Sequence, residues 1–151
     1  MIVGDKEKFA IEFEASKSTK DLASGILWLK GMMLGSTEYA LHLDILLSRL
    51  QHVAKNNVSF IEEGGHPHDQ IDELLDLHRR EDGSSIASLG EDFDDYEMYY
   101  FNKGSDIYFL WLRDEEPFFT YVEKAPYKGL VGIDKRYFNK VVEHFSNELK
   151  A

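Results

Sequence analysis

The sequence predicts an α+β fold: a mostly antiparallel sheet of about five to six strands, with two long helices and one short helix packed on it. Three observations lead there. Short segments alternate apolar and polar residues or run fully apolar, which is strand patterning. Two longer segments repeat apolar residues every three to four positions, which is helix patterning. Several strand segments are joined by breaks short enough for hairpins, so neighbours run antiparallel. The order of strands, helix, short helix, strands, helix fits sheet-plus-helix packing.

Phe9, Ala10, Ile11, Glu12, Phe13 and Glu14 alternate in the manner of a half-buried strand. Residues 16–24 are polar and read as a loop. Ile26, Leu27, Trp28 and Leu29 form a short apolar strand, and Lys30-Gly31 a two-residue turn that returns the chain through Met32, Met33 and Leu34. Ser36 or Thr37 is a candidate cap for a helix over residues 38–54, where Tyr39, Leu43, Leu46, Leu47, Leu50 and Val53 share one stripe. Asn56-Asn57 ends it. After a loop marked by Gly64, Gly65 and Pro67, Asp69 can cap a shorter helix whose apolar face holds Ile71, Leu74, Leu75 and His78. Residues 81–95 are acidic and contain Gly and Ser, so they read as exposed. A hairpin follows, with arms at residues 98–101 and 107–112 around Asn102, Lys103, Gly104 and Ser105. Its second arm is apolar on both faces, as a central strand should be. A further strand is expected over residues 118–123, after Pro117. Asp134 caps the last helix, Ile133 and Phe138 have the spacing of a hydrophobic staple, and Tyr137, Val141, Phe145 and Leu149 form its stripe.

The chain of 151 residues fits one domain, residues 1–151. That length buries roughly 70% of the unfolded surface and needs no staples. With no cysteine, a disulfide framework, thiolate metal sites and a thiol nucleophile are excluded. The N-terminus lacks a basic start and a long apolar stretch, so no signal peptide is expected. No apolar run approaches the ~18 residues that span a bilayer. The formal net charge of -11 opposes nucleic acid and anionic lipid, and no basic footprint offsets it. A soluble, cytoplasmic protein that binds neither nucleic acid nor membrane is expected.

The acid is concentrated. Glu91, Asp92, Phe93, Asp94, Asp95, Tyr96 and Glu97 put five carboxylates and two rings into seven residues. A solvated, solubilising loop accounts for such a run. The interleaved rings add a second reading, since aromatics flanked by charge make interface hot spots, although they also serve to anchor a loop. A carboxylate field with rings suits capture of a positively charged protein surface.

Other candidates are weaker. His66, Pro67, His68 and Asp69 resemble a metal loop, with His66, His68 and Asp69 as ligands and His78 near, but a cap, a turn residue and two exposed imidazoles explain them as well. His42, His52 and His144 fall mostly off the buried stripes. Ser84, Ser85 and Ser88 lack the strand-turn-helix setting of a nucleophile. Glu12 and Glu14 share one strand side, as a solvated face requires. No catalytic residue, metal or cofactor is expected.

The opening residues Met1, Ile2, Val3, Gly4, Asp5, Lys6, Glu7, Lys8, Phe9, Ala10, Ile11, Glu12, Phe13 and Glu14, and the Trp28-Leu29-Lys30-Gly31 turn with the short strand ending at Gly35, resemble the immunity protein 42 family. The resemblance is clearest over about the first 35 residues. It implies an acidic, cytosolic, cysteine-free bacterial protein. Such a protein is encoded with polymorphic toxins, including those of contact-dependent growth inhibition, and binds a toxin C-terminal domain one-to-one. It brings no binding residue with it. The expected function is therefore a toxin inhibitor, not an enzyme, contacting a basic, nuclease-like toxin surface through Glu91, Asp92, Phe93, Asp94, Asp95, Tyr96 and Glu97. The alternative is a small metal-dependent hydrolase using His66, His68 and Asp69.

Overall fold

The computed structural model describes residues 1–15, 22–36, 41–56, 58, 71–80, 83, 85–90, 93–121 and 125–150. The elements are β1 (Ile2–Asp5), β2 (Phe9–Ala15), β3 (Leu22–Leu29), β4 (Met32–Leu34), β5 (Leu41–His42), α1 (Leu43–Lys55), α2 (Ile71–Arg79), β6 (Tyr96–Lys103), β7 (Asp106–Arg113), β8 (Lys128–Asp134) and α3 (Lys135–Lys150). The α+β class, the two long helices and the short one match the sequence reading. The single sheet does not. The strands form two antiparallel sheets, one in the order β1-β2-β3-β4 with β5 pairing β3, the other in the order β6-β7-β8.

In the first sheet the Lys30-Gly31 turn has φ of 48° and 82°. Positive φ at both central residues is what a type I′ hairpin demands. The strand β1 lies outside the elements expected from sequence. It pairs with β2 from Ile2↔Glu12 to Asp5↔Phe9. In the second sheet the turn is Gly104-Ser105, between Lys103 and Asp106, with Gly104 at φ 62°. β7 is its middle strand, as the doubly apolar pattern required.

Alternation then assigns each face of the second sheet. Tyr100, Phe109, Trp111, Val131 and Ile133 point into the main core with Phe9, Ile11, Leu46, Leu50, Phe138 and Phe145. Tyr99 and Leu110 point the other way and are covered by Leu74 and Leu75 of α2. Helices α1 and α3 pack on each other and on the first sheet. Asp134 caps α3 through the Tyr137 N–H at 3.0 Å, and Ile133 and Phe138 are both buried.

Three expected boundaries are corrected. The first helix begins at Leu43, not near residue 38, and its N-cap is His42, with no side-chain cap bond. Ser36 does not cap it, because Leu41 and His42 are first used as a strand against Ala23 and Leu22. No strand occupies the described part of residues 118–123. The Phe118 and Phe119 amides are both bonded to one carboxylate, that of Asp95. Successive amides of a strand point to opposite sides, so a ladder cannot use this pair. The third strand is instead β8. Its Gly129 and Gly132 lie opposite Trp111 and Tyr108, and a Cβ on Gly129 would stand 2.3 Å from the Trp111 ring. The rings fill the space that those glycines leave empty. Thr37, Tyr39, Asn57 and the Asp69 cap lie outside the described residues.

Candidate functional site

The acidic run opens the second sheet, and folding distributes its residues very differently. Glu91 and Asp92 lie outside the described residues. Phe93, expected near the surface, is 4% exposed and packs against Gly35, where a Cβ would come within 3.0 Å of its ring. Asp94 is exposed. Tyr96 is half-buried, with its ring edge-on to Tyr121 at 5.7 Å.

Asp95, also expected to be exposed, is 5% exposed and organises a second loop. Its carboxylate accepts the Phe118 N–H at 2.8 Å, the Phe119 N–H at 3.0 Å and the Tyr121 hydroxyl at 2.9 Å. Its backbone carbonyl accepts the Asp114 N–H at 2.8 Å. Burial pushes the carboxyl pKa up. The two amides, the hydroxyl and the Arg113 charge outweigh burial and hold it below the usual range. The same burial, with the bond to Asp95, raises the Tyr121 hydroxyl. Arg113 stacks over the Tyr121 ring at 4.2 Å and donates to the Ala125 carbonyl at 2.8 Å. Residues 114–121 are thereby tied to the sheet although they form no strand.

Glu97 is half-buried and answers to α2. It accepts two bonds from Arg79, at 2.6 and 2.7 Å, and one from the Tyr99 hydroxyl at 2.6 Å. The Arg79 fork holds the Glu97 carboxyl low, and burial with the Glu97 bond pushes Tyr99 up to about 12. The paired side chains line a groove of about 660 Å³ together with Arg113, Asp114, Glu115, Leu112, Pro117 and Tyr127. Beside the groove Phe118 is 85% exposed and Tyr127 58% exposed. Asp114, Glu115 and Glu116 are exposed along the same loop. Sequence reading placed residues 118–123 in a strand and so missed this surface. The available signal was Glu115-Glu116-Pro117 directly before two aromatics, where Pro removes a ladder donor.

The remaining candidates resolve simply. His42, His52 and His144 are exposed. His78 is 1% exposed, stacked on Tyr99 and Phe101, with Nδ1 2.9 Å from the Ser85 hydroxyl. Burial lowers its pKa. Ser85 is itself 2% exposed, so the pair is out of reach of a substrate. Glu12 accepts the Trp28 indole N–H at 2.8 Å and pairs with Lys6, and Glu14 is exposed. His66, His68 and Asp69 lie outside the described residues. Among the described residues no three His, Cys, Asp or Glu could hold a metal ion, and no helix is long and apolar enough to cross a membrane.

The chain is a two-sheet α+β domain whose acidic loop carries an exposed ring beside an internally tied carboxylate. The fold is shared with CdiI from Burkholderia dolosa AUO158, whose crystal structure aligns with a TM-score of 0.66 at 20% identity, covering 98% of this chain and 99% of that one. The chain belongs to the immunity protein 42 family, whose sequence model matches residues 1–148. No curated protein matches the chain.

Proposed function

We propose that this chain is an immunity protein that binds and neutralises a cognate bacterial toxin domain, one-to-one, by covering its active site or the approach to it. The family match over residues 1–148 carries the reading. The protein is a stoichiometric inhibitor rather than an enzyme, and works in the cytoplasm, where the toxin arrives. The acid supports a partner with a basic working surface, such as a nuclease. Carboxylates at a phosphate-binding surface speed encounter and exclude substrate. In the contact region proposed around Glu91, Asp92, Asp94, Tyr96 and Glu97, the buried Phe93 and Asp95 act through the loops they hold.

The test is co-expression with the C-terminal domain of whichever large secreted protein proves to be encoded beside this chain, followed by native mass spectrometry. Rescue of growth together with a one-to-one complex is expected. Unrelieved toxicity with no complex would refute the reading.

A further inference from the structure

The Asp95 carboxylate does something unusual with a large apolar side chain: it fixes the backbone on both sides of a ring that is left in water. Its oxygens hold the amides of Phe118 and Phe119, while the Phe118 ring is 85% exposed. Phe119, half-buried beneath, meets it edge-on at 5.1 Å. The core gains nothing from a ring so placed. A partner gains twice, because the ring is apolar and its backbone is already ordered, so little conformational freedom is lost on docking.

We propose that Phe118 is the apolar anchor of the toxin-docking surface, entering a pocket on the toxin domain that is rimmed by Lys and Arg. The rim follows from charge. Asp114, Glu115 and Glu116, just ahead of Phe118 in the chain, and Asp94, next to the Asp95 that holds its amide, are all exposed, in a chain of net charge -11. A central ring within a charged, solvated border is how hot spots are built. The neighbouring groove adds Pro117 and Tyr127 to the apolar surface, within a mostly charged lining that includes Asp114 and Glu115. This inference rests on the toxin-binding reading above and moves the centre of contact from residues 91–97 to the loop at 114–118.

The experiment measures binding kinetics between the full chain and the co-encoded toxin domain, inactivated in its active site. Phe118→Ala is expected to weaken binding at least about 30-fold, mainly by faster dissociation, with an unchanged melting temperature. Glu115→Lys with Glu116→Lys is expected to slow association and flatten its salt dependence. Hydrogen exchange on the wild-type complex is expected to show new protection at residues 114–121, a readout that requires no variant. Wild-type dissociation of Phe118→Ala, or no new protection there, would overturn the surface while leaving the toxin-binding reading intact. A wild-type chain that binds no toxin would overturn both. A concentration-dependent dimer of the free protein that Phe118→Ala abolishes would assign the ring to self-association and overturn the proposal.

Discussion

Two acidic stretches lie side by side at one end of the second sheet, and they use their charge in opposite ways. Within residues 93–97 the described carboxylates are mostly engaged internally: Asp95 holds a loop and Glu97 holds Arg79 of α2. In residues 114–116 three carboxylates face solvent beside an exposed ring. The first stretch belongs to the longer run 91–97, which holds five carboxylates, and is the obvious candidate by composition. The second is the more available. Charge that a sequence displays is not the charge a surface offers, because a carboxylate next to free amides is taken up by them first.

The largest test of this contrast is Phe93→Ala. Truncating a buried ring that packs on Gly35 should cost about 3–5 kcal/mol in denaturant unfolding. A loss near zero would return Phe93 to the surface and erase the distinction. Asp95→Ala comes next. It strands two amides and a hydroxyl, and a loss of about 2–3 kcal/mol is expected at neutral pH. Its pH dependence sharpens the assignment. The folded carboxyl titrates below its unfolded value of 3.8, so its contribution is fully present above that value and is lost as pH falls through the folded pKa. The gap between wild type and variant should therefore narrow in acid; a gap that stays constant would assign it to packing alone.

His78 gives a milder effect in a different pH window. Its folded pKa lies below 6.5, so the unfolded chain takes up the proton first. Stability should fall as pH drops below 6.5, by at most about 1.4 kcal/mol per pH unit. Among the described residues the groups seen against it are the Tyr99 and Phe101 rings and the Ser85 hydroxyl, none of which carries a charge. In His78→Gln that slope should disappear between pH 6.5 and 5, and a persisting slope would move the titration elsewhere. The smallest effect on stability is expected from Asp94→Lys or Glu115→Lys, within about 0.5 kcal/mol of wild type. A larger loss at either site would mean that the outward stretch, too, is engaged internally.

Much of the fold was legible in the sequence because its signals were local. The Lys30-Gly31 and Gly104 turns, the doubly apolar β7 and the Asp134 cap depend on neighbours a few residues away, and each appears in the structure. The misses depend on distant partners. β8 carries two glycines and looks weak alone; only Trp111 and Tyr108 across the ladder make it a strand. The division into two sheets is a matter of pairing, which alternation does not encode. The site followed the same rule. The acidic run marked the correct end of the sheet, but the fate of Asp95 hinged on amides 23 and 24 residues downstream. No pattern within residues 91–97 contains that information.

Those same separations bear on the order in which the molecule assembles. The bonds that shape the loop span 23 to 26 residues and arise once the β6–β7 hairpin closes. The bond that ties this region to the first sheet, from the Gly35 amide to the Tyr96 hydroxyl, spans 61. Shorter closures cost less chain entropy and are reached sooner. The loop that displays Phe118 can thus take shape on its own hairpin, as the equally local pairings of the first sheet can on theirs, before the 61-residue contact joins the two.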